Sequence, residues 1–175
     1  MESLRTLKRI AIIGPESSGK TTLCMQLAGH FNTSWVPEFA REFITALDRP
    51  YTMEDILYCA QEQFKQEQIL AAGARQFLFC DTEFILAKVW CNDVFGTCPE
   101  WILNQARRHV YDLYLLTTPD LPFEADPVRE NPHRREELYE IYKKELDLYG
   151  YRYEVISGIG KKRFQSALKA IDRSA

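Results

Sequence analysis

Histidine is scarce in this chain. His30, His109 and His133 lie far apart and have no neighbouring cysteines, a distribution that argues against a structural zinc site. The five cysteines are odd in number and form no Cys-x-x-Cys pair, and Cys24 and Cys80 sit in apolar runs. They read as small core residues of a reducing compartment, not as a disulfide framework. A basic excess is also missing: 22 Lys and Arg face 25 Asp and Glu, for a formal net charge of −3. Proteins that live on nucleic acid normally present a basic face, so no nucleic-acid partner is expected. No apolar stretch approaches the length needed to cross a bilayer. After Arg5, Lys8 and Arg9 the apolar run 10–13 is broken at once by Gly14-Pro15-Glu16, so no signal peptide is expected either. Internal repeats and low-complexity segments are lacking. These absences describe a cytoplasmic protein without a membrane partner, and nothing in them indicates an oligomeric state.

What is present is a phosphate-binding pattern. With 175 residues, 46% of them hydrophobic, the chain can bury one good core, and a single domain over residues 1–175 is expected. Gly14-Pro15-Glu16-Ser17-Ser18-Gly19-Lys20-Thr21 matches G-x-x-x-x-G-K-[ST], the P-loop. Its glycines permit a tight turn that aims consecutive N–H groups at one phosphate chain. Lys20 reaches the outer phosphates, and the Thr21 hydroxyl is placed to ligate Mg²⁺. Glu16, Ser17, Ser18 and Thr22 complete the cradle. The context is the one the motif requires, because residues 9–13 read as a buried strand and 22–28 as the first turns of a helix.

The same alternation continues. Short apolar strands are expected at 33–37, 76–81, 112–116 and 153–156. Helices are expected at 38–44, from Thr52 as a cap onward, and at 84–90, 100–109, 134–149 and 162–171. Strands alternating with helices imply a five-stranded parallel sheet covered on both faces, the α/β three-layer sandwich of P-loop NTPases. Ligands in such sheets sit at the carboxyl ends of the strands, so the residues that follow each strand are the candidates. Asp81 ends an apolar strand, as a metal-holding acid would, although an ordinary helix cap has the same look. Glu83 either orients a substrate hydroxyl or sits in a first helical turn. Glu38 directly follows a strand, where a carboxylate can take an acceptor proton, and Arg41 lies on the same helical face. Residues 119–136, with four prolines at 119, 122, 127 and 132, form a long loop of the kind that serves as a lid. Arg129, Arg134 and Arg135 can close it over phosphates. Phe123 either stacks on a flat ring or anchors the loop. Gly158, in the last glycine turn, would pass beside an adenine through its backbone.

Four blocks, taken in order, resemble a known family. They are Gly14–Thr21, Val36-Pro37-Glu38-Phe39-Ala40-Arg41, Asp81-Thr82-Glu83 and Phe123…Asp126-Pro127-Val128-Arg129. Together they resemble the ribosylnicotinamide kinase domain of NadR-type proteins and the wider group of P-loop ATPases and kinases of NAD metabolism. The resemblance implies a nucleoside- or nucleotide-kinase-like fold with a lid. It also implies transfer of the ATP γ-phosphate, with Mg²⁺, to the 5′-hydroxyl of nicotinamide riboside, a small nucleoside-type substrate. In that family an aromatic lid residue stacks on the nicotinamide. Phe123 stands here where Trp is usual, and Asp126-Pro127 where Asp-Gly is usual. On this reading Lys20, Glu38, Asp81 and Arg129 carry the chemistry, and Arg41, Glu83, Phe123 and Asp126 hold the acceptor. No His-x-Gly-His adenylyltransferase motif occurs, so a stand-alone kinase is expected. The alternative is a regulatory P-loop ATPase acting as a nucleotide-dependent switch. A GTPase would carry an Asn/Thr-Lys-x-Asp stretch, which the sequence lacks.

Overall fold

The computed structural model describes residues 6–108, 111–126 and 129–174. The expected helix end at His109 and the lid residues Pro127 and Val128 lie outside these. In chain order the elements are β1 (Lys8–Ile13), α1 (Lys20–Phe31), β2 (Trp35–Val36), α2 (Phe39–Thr45), α3 (Met53–Gly73), β3 (Phe77–Asp81), α4 (Phe84–Phe95), α5 (Glu100–Arg107), β4 (Leu113–Thr117), α6 (Arg135–Tyr149), β5 (Tyr153–Ile156) and α7 (Lys161–Ser174).

The strands form one parallel sheet in the order β2-β3-β1-β4-β5. β1 sends Ile10 and Ile12 to one face and Ala11 and Ile13 to the other, the period of two that a strand imposes. Ile10 and Ile12 meet Leu23, Cys24 and Leu27 of α1 and Ala167, Ala170 and Ile171 of α7. Ala11 and Ile13 share the opposite core with Phe84, Ile85 and Val89 of α4 and Leu138, Tyr142 and Leu146 of α6. The central strands are therefore buried on both sides, which is why they read as unbroken apolar runs. A smaller cluster of Ile56, Ala60, Cys91 and Ile102 joins α3, α4 and α5.

Thr52 caps α3 with a reciprocal box. Its hydroxyl accepts from the Asp55 N–H at 3.3 Å, and the Asp55 carboxylate accepts from the Thr52 N–H at 2.8 Å. Arg49 bonds both Asp55 oxygens, and this contact holds the carboxyl well below the usual range. Of the boundaries that differ from the sequence reading, two have a clear local cause. β2 is only Trp35–Val36, because the Thr33 hydroxyl donates to the Phe77 carbonyl at 2.6 Å and accepts from the Arg75 N–H at 3.1 Å, so Thr33 stitches a connection instead of joining a ladder. α4 runs on to Phe95 and stops only at Gly96, whose left-handed backbone (φ 70°) closes the helix onto Asn92, as C-terminal glycines do. Among the described residues no helix is long and apolar enough to cross a membrane.

One buried polar contact ties α3 to the sheet. Glu67 is 1% exposed, accepts from Tyr111 at 2.7 Å and faces Arg9 Nε at 3.1 Å. Glu67→Ala leaves Tyr111 without its acceptor and Arg9 without its counter-charge, and is expected to cost about 3 kcal/mol. Glu67→Gln, which keeps one acceptor oxygen, should cost less. Urea denaturation measures both, and a wild-type midpoint for Glu67→Ala would refute the assignment.

Candidate active site

The P-loop leaves β1 and wedges between two neighbouring strand ends. A Cβ on Gly14 (φ +151°) would lie 2.2 Å from Thr117 Oγ1 and 2.7 Å from the Thr117 carbonyl. Only glycine allows that approach. Ser18 Oγ sits 2.6 Å from Thr117 Oγ1 and 2.7 Å from the Pro15 carbonyl oxygen, so the loop is buttressed from β4. Gly19 turns the chain at φ 78° into α1, which begins with no side-chain cap and no acid in its first turn. Those first amides are free for an anion. The Lys20 ammonium donates to the Gly14 and Pro15 carbonyls at 3.0 Å each.

On the other flank of β1, the Thr21 hydroxyl donates to Asp81 Oδ2 at 2.5 Å. Asp81 is fully buried, and its Oδ1 has no hydrogen-bond partner. Burial pushes its carboxyl up, while Lys20 and the Thr21 hydrogen bond oppose the shift. A buried carboxylate oxygen without a donor, beside a hydroxyl, is a pair suited to a divalent cation. Gln63 of α3 donates to the Asp81 carbonyl at 3.1 Å and accepts from the Phe39 N–H at 2.8 Å. It thereby locks the end of β3 to the start of α2. Glu38 at that start makes no cap bond with its side chain and faces the cleft. Desolvation and the nearby Asp81 raise its carboxyl above the ordinary range, against Lys20, Arg41 and Arg129.

The cleft has a volume of about 560 Å³. The P-loop, Glu38 and Arg41 line it together with an aromatic chamber of Tyr51, Trp90 and Tyr142. Trp90 Nε1 donates to the Tyr51 hydroxyl at 3.1 Å, with the two rings edge to face. Glu16, Ser17, Ser18, Thr22, Glu124, Arg129, Glu130 and Asn131 also line it. Arg129 donates to the Glu124 carbonyl at 2.6 Å, and its buried Nε has no partner. Arg41 pairs with Asp126 across the lid base.

Several expected site residues are placed elsewhere. Glu83 does not reach the cleft. Thr82 adopts φ 71° and turns the chain so that the Glu83 carboxylate caps α4, accepting from Ile85 at 2.8 Å and Leu86 at 3.1 Å. Burial raises its pKa to about 8. Of the two roles left open for it, the helix-start role is the one observed. Arg134 is taken up by Asp93 and Glu137, which accept from its guanidinium at 2.7–2.9 Å. These acids offset a cation at a helix N-terminus, so Arg134 anchors α6 to α4 and does not face the P-loop. Arg135 bonds the Ser17 and Leu121 carbonyls at 3.3 and 2.8 Å and lies 5.9 Å over the Phe123 ring. Phe123 thus anchors the loop and is not among the residues lining the cleft. The Gly158 N–H is engaged by Asp120 at 2.6 Å, and its carbonyl by Arg163 at 2.9 Å. It too lies outside the cleft lining.

Thr117, Gln63, Tyr51, Trp90 and Asp93 went unread in the sequence. Trp90 and Asp93 fall on the Leu86 side of α4 at helical spacing. The one available signal was an acid interrupting an otherwise apolar stripe.

The fold and the loop define a P-loop nucleotide-binding α/β protein with the five-stranded, kinase-like parallel sheet. A family model described as an AAA domain matches residues 9–163, and the chain belongs to that family. The Trifunctional NAD biosynthesis/regulator protein NadR of Salmonella typhimurium is 26% identical over 129 residues, as is its Escherichia coli counterpart; each match covers 70% of this chain and 31% of the relative. A solved NadR protein in complex with NR superposes with a TM-score of 0.81 at 22% identity, over 95% of this chain and 49% of that one. A deoxyadenosine kinase from M. mycoides superposes with a TM-score of 0.56 at 13% identity, over 94% and 99% of the two chains. The chain spans about a third of the curated relatives' length and half of the solved NadR chain.

Gly14→Ala forces a methyl group into Thr117 and displaces the loop. Affinity for ATP with Mg²⁺, read by calorimetry, should fall at least about tenfold while the circular dichroism spectrum stays native. Unchanged affinity would remove the P-loop from the binding site.

Proposed function

We propose that this protein is an ATP-dependent kinase of a small nucleoside-type alcohol, with nicotinamide riboside as acceptor and nicotinamide mononucleotide as product. One observation carries the reading. A single cleft is lined by the P-loop, by Glu38 and Arg41, and by the aromatic side chains of Tyr51, Trp90 and Tyr142. A hydrolytic switch needs no such chamber. The NadR relatives, one of them solved with NR, and the deoxyadenosine kinase neighbour support the same class.

In this mechanism the acceptor oxygen bonds to the γ-phosphorus as the bond to the β–γ bridging oxygen breaks and ADP leaves. Glu38 takes the hydroxyl proton, helped by a basicity that burial raises. Lys20 and the first amides of α1 hold the phosphates, and Arg129 stabilises the charge on the group in transit. Thr21 and Asp81 would hold Mg²⁺, which neutralises phosphate charge when bound. Tyr51, Trp90 and Tyr142 exclude water and give a flat base a surface to pack on. The faces of those rings suit a flat base that carries positive charge.

The decisive experiment supplies ATP and Mg²⁺ with nicotinamide riboside or a panel of other nucleosides and reads product mass. A phosphorylated nicotinamide riboside is expected. Rapid ATP hydrolysis that no acceptor alters would overturn the kinase reading in favour of a switch. Glu38→Gln should retain ATP binding and slow transfer by roughly 10²–10⁴-fold; near-normal transfer would take the base role away from Glu38.

A further inference from the structure

Glu16 places an acid in a loop built for phosphates. Its negative charge opposes the ligand, and a cation or a neutral side chain would suit the position better. The structure shows where that charge is used. Glu16 Oε1 accepts from the Glu130 N–H at 3.1 Å, and Oε2 accepts from the Asn131 N–H at 3.1 Å. The Asn131 side-chain amide adds a third bond at 3.3 Å. Glu130 and Asn131 belong to the lid and lie 114 and 115 residues further along the chain.

One of these two lid residues, Glu130, is also held from the acceptor side. The Tyr51 hydroxyl donates to Glu130 Oε2 at 2.9 Å while accepting from Trp90 Nε1 at 3.1 Å. One proton is given and one received, so the hydroxyl is oriented. Glu16, Glu130, Asn131, Tyr51 and Trp90 all line the cleft. A ligand in either half therefore meets one end of this chain of bonds.

We propose that Glu16 and Tyr51 are positioning residues that clamp Glu130–Asn131 from the donor and acceptor sides, so that the lid docks as one unit and couples the binding of the two substrates. The coupling rests on the kinase reading above; the clamp itself does not. A ligand shifts a lid only by its differential affinity for the docked state, and both halves of this cleft supply contacts that exist only when Glu130 and Asn131 are in place.

Two measurements test the proposal. The first is limited trypsin digestion of the full chain with adenylyl imidodiphosphate and Mg²⁺, following cleavage after Arg129 and Arg134. Glu16→Ala and Tyr51→Phe are each expected to raise cleavage there about threefold or more, because cutting tracks the undocked population. Cleavage after Lys143 and Lys144 in α6 serves as a control and should not change. Glu16→Gln, which keeps one acceptor oxygen, should fall between wild type and Glu16→Ala. Wild-type cleavage in both Glu16→Ala and Tyr51→Phe would overturn the clamp.

The second is the Kd of adenylyl imidodiphosphate with and without nicotinamide riboside. Wild type should tighten about tenfold, within the usual range of coupling between sites. Glu16→Ala and Tyr51→Phe should tighten less than about twofold, a loss that a merely structural role would not produce. Undiminished coupling in both variants would also overturn the proposal. If nicotinamide riboside has no effect on wild type, the acceptor assignment fails, and the digestion alone decides the clamp.

Discussion

The close approach of Gly14 to Thr117 organises everything else in the molecule. β1 lies between β3 and β4, so the loop that leaves it touches the ends of both neighbours. On one side the absence of a Cβ lets the loop backbone press against Thr117. On the other, α1 starts at an angle that brings Thr21 to Asp81. Phosphate amides, the Lys20 cation and a metal-competent acid then share one edge of the sheet. That edge is where parallel strands of an open α/β sheet present their ligands.

Charge is distributed around this edge in a graded way. The acids of the cleft nearly all have partners. Glu16 is held by lid amides, Asp93 by Arg134 and Glu130 by Tyr51. Asp81 keeps one oxygen unbonded and Glu38 has only a distant arginine, at 3.9 Å. Both are pushed up by burial. Both lie beside the phosphate loop, which is where perturbed groups have chemistry to do. The arginines divide in the same way. Arg129 lines the cleft and keeps a buried Nε without a partner, while Arg134 and Arg135 hold the lid and the start of α6.

The lid belongs to both halves of the site. It meets the P-loop through Glu16 and Ser17, α2 through Arg41 and Asp126, and the aromatic chamber through Tyr51. A long loop with four prolines has little structure of its own to hold it in place. Its order comes from these docking contacts, each made to a residue far away in sequence.

The parallel α/β architecture, the P-loop and the strand-end positions of Glu38 and Asp81 were legible in the sequence. These features follow from local rules: a period of two, a glycine spacing, an acid after an apolar run. Local rules could not separate Glu83 the helix cap from Glu83 the substrate ligand, nor Phe123 the anchor from Phe123 the stacking ring. Arg134 read as a phosphate arginine because its partner Asp93 lies 41 residues away. Trp90 and Tyr51 went unread because their pairing needs α4 laid beside the α2–α3 turn. The sequence alone determined that a phosphate chain binds at the end of β1. Only the tertiary structure decided which side chains surround the other half of the cleft, because those contacts join residues tens of positions apart.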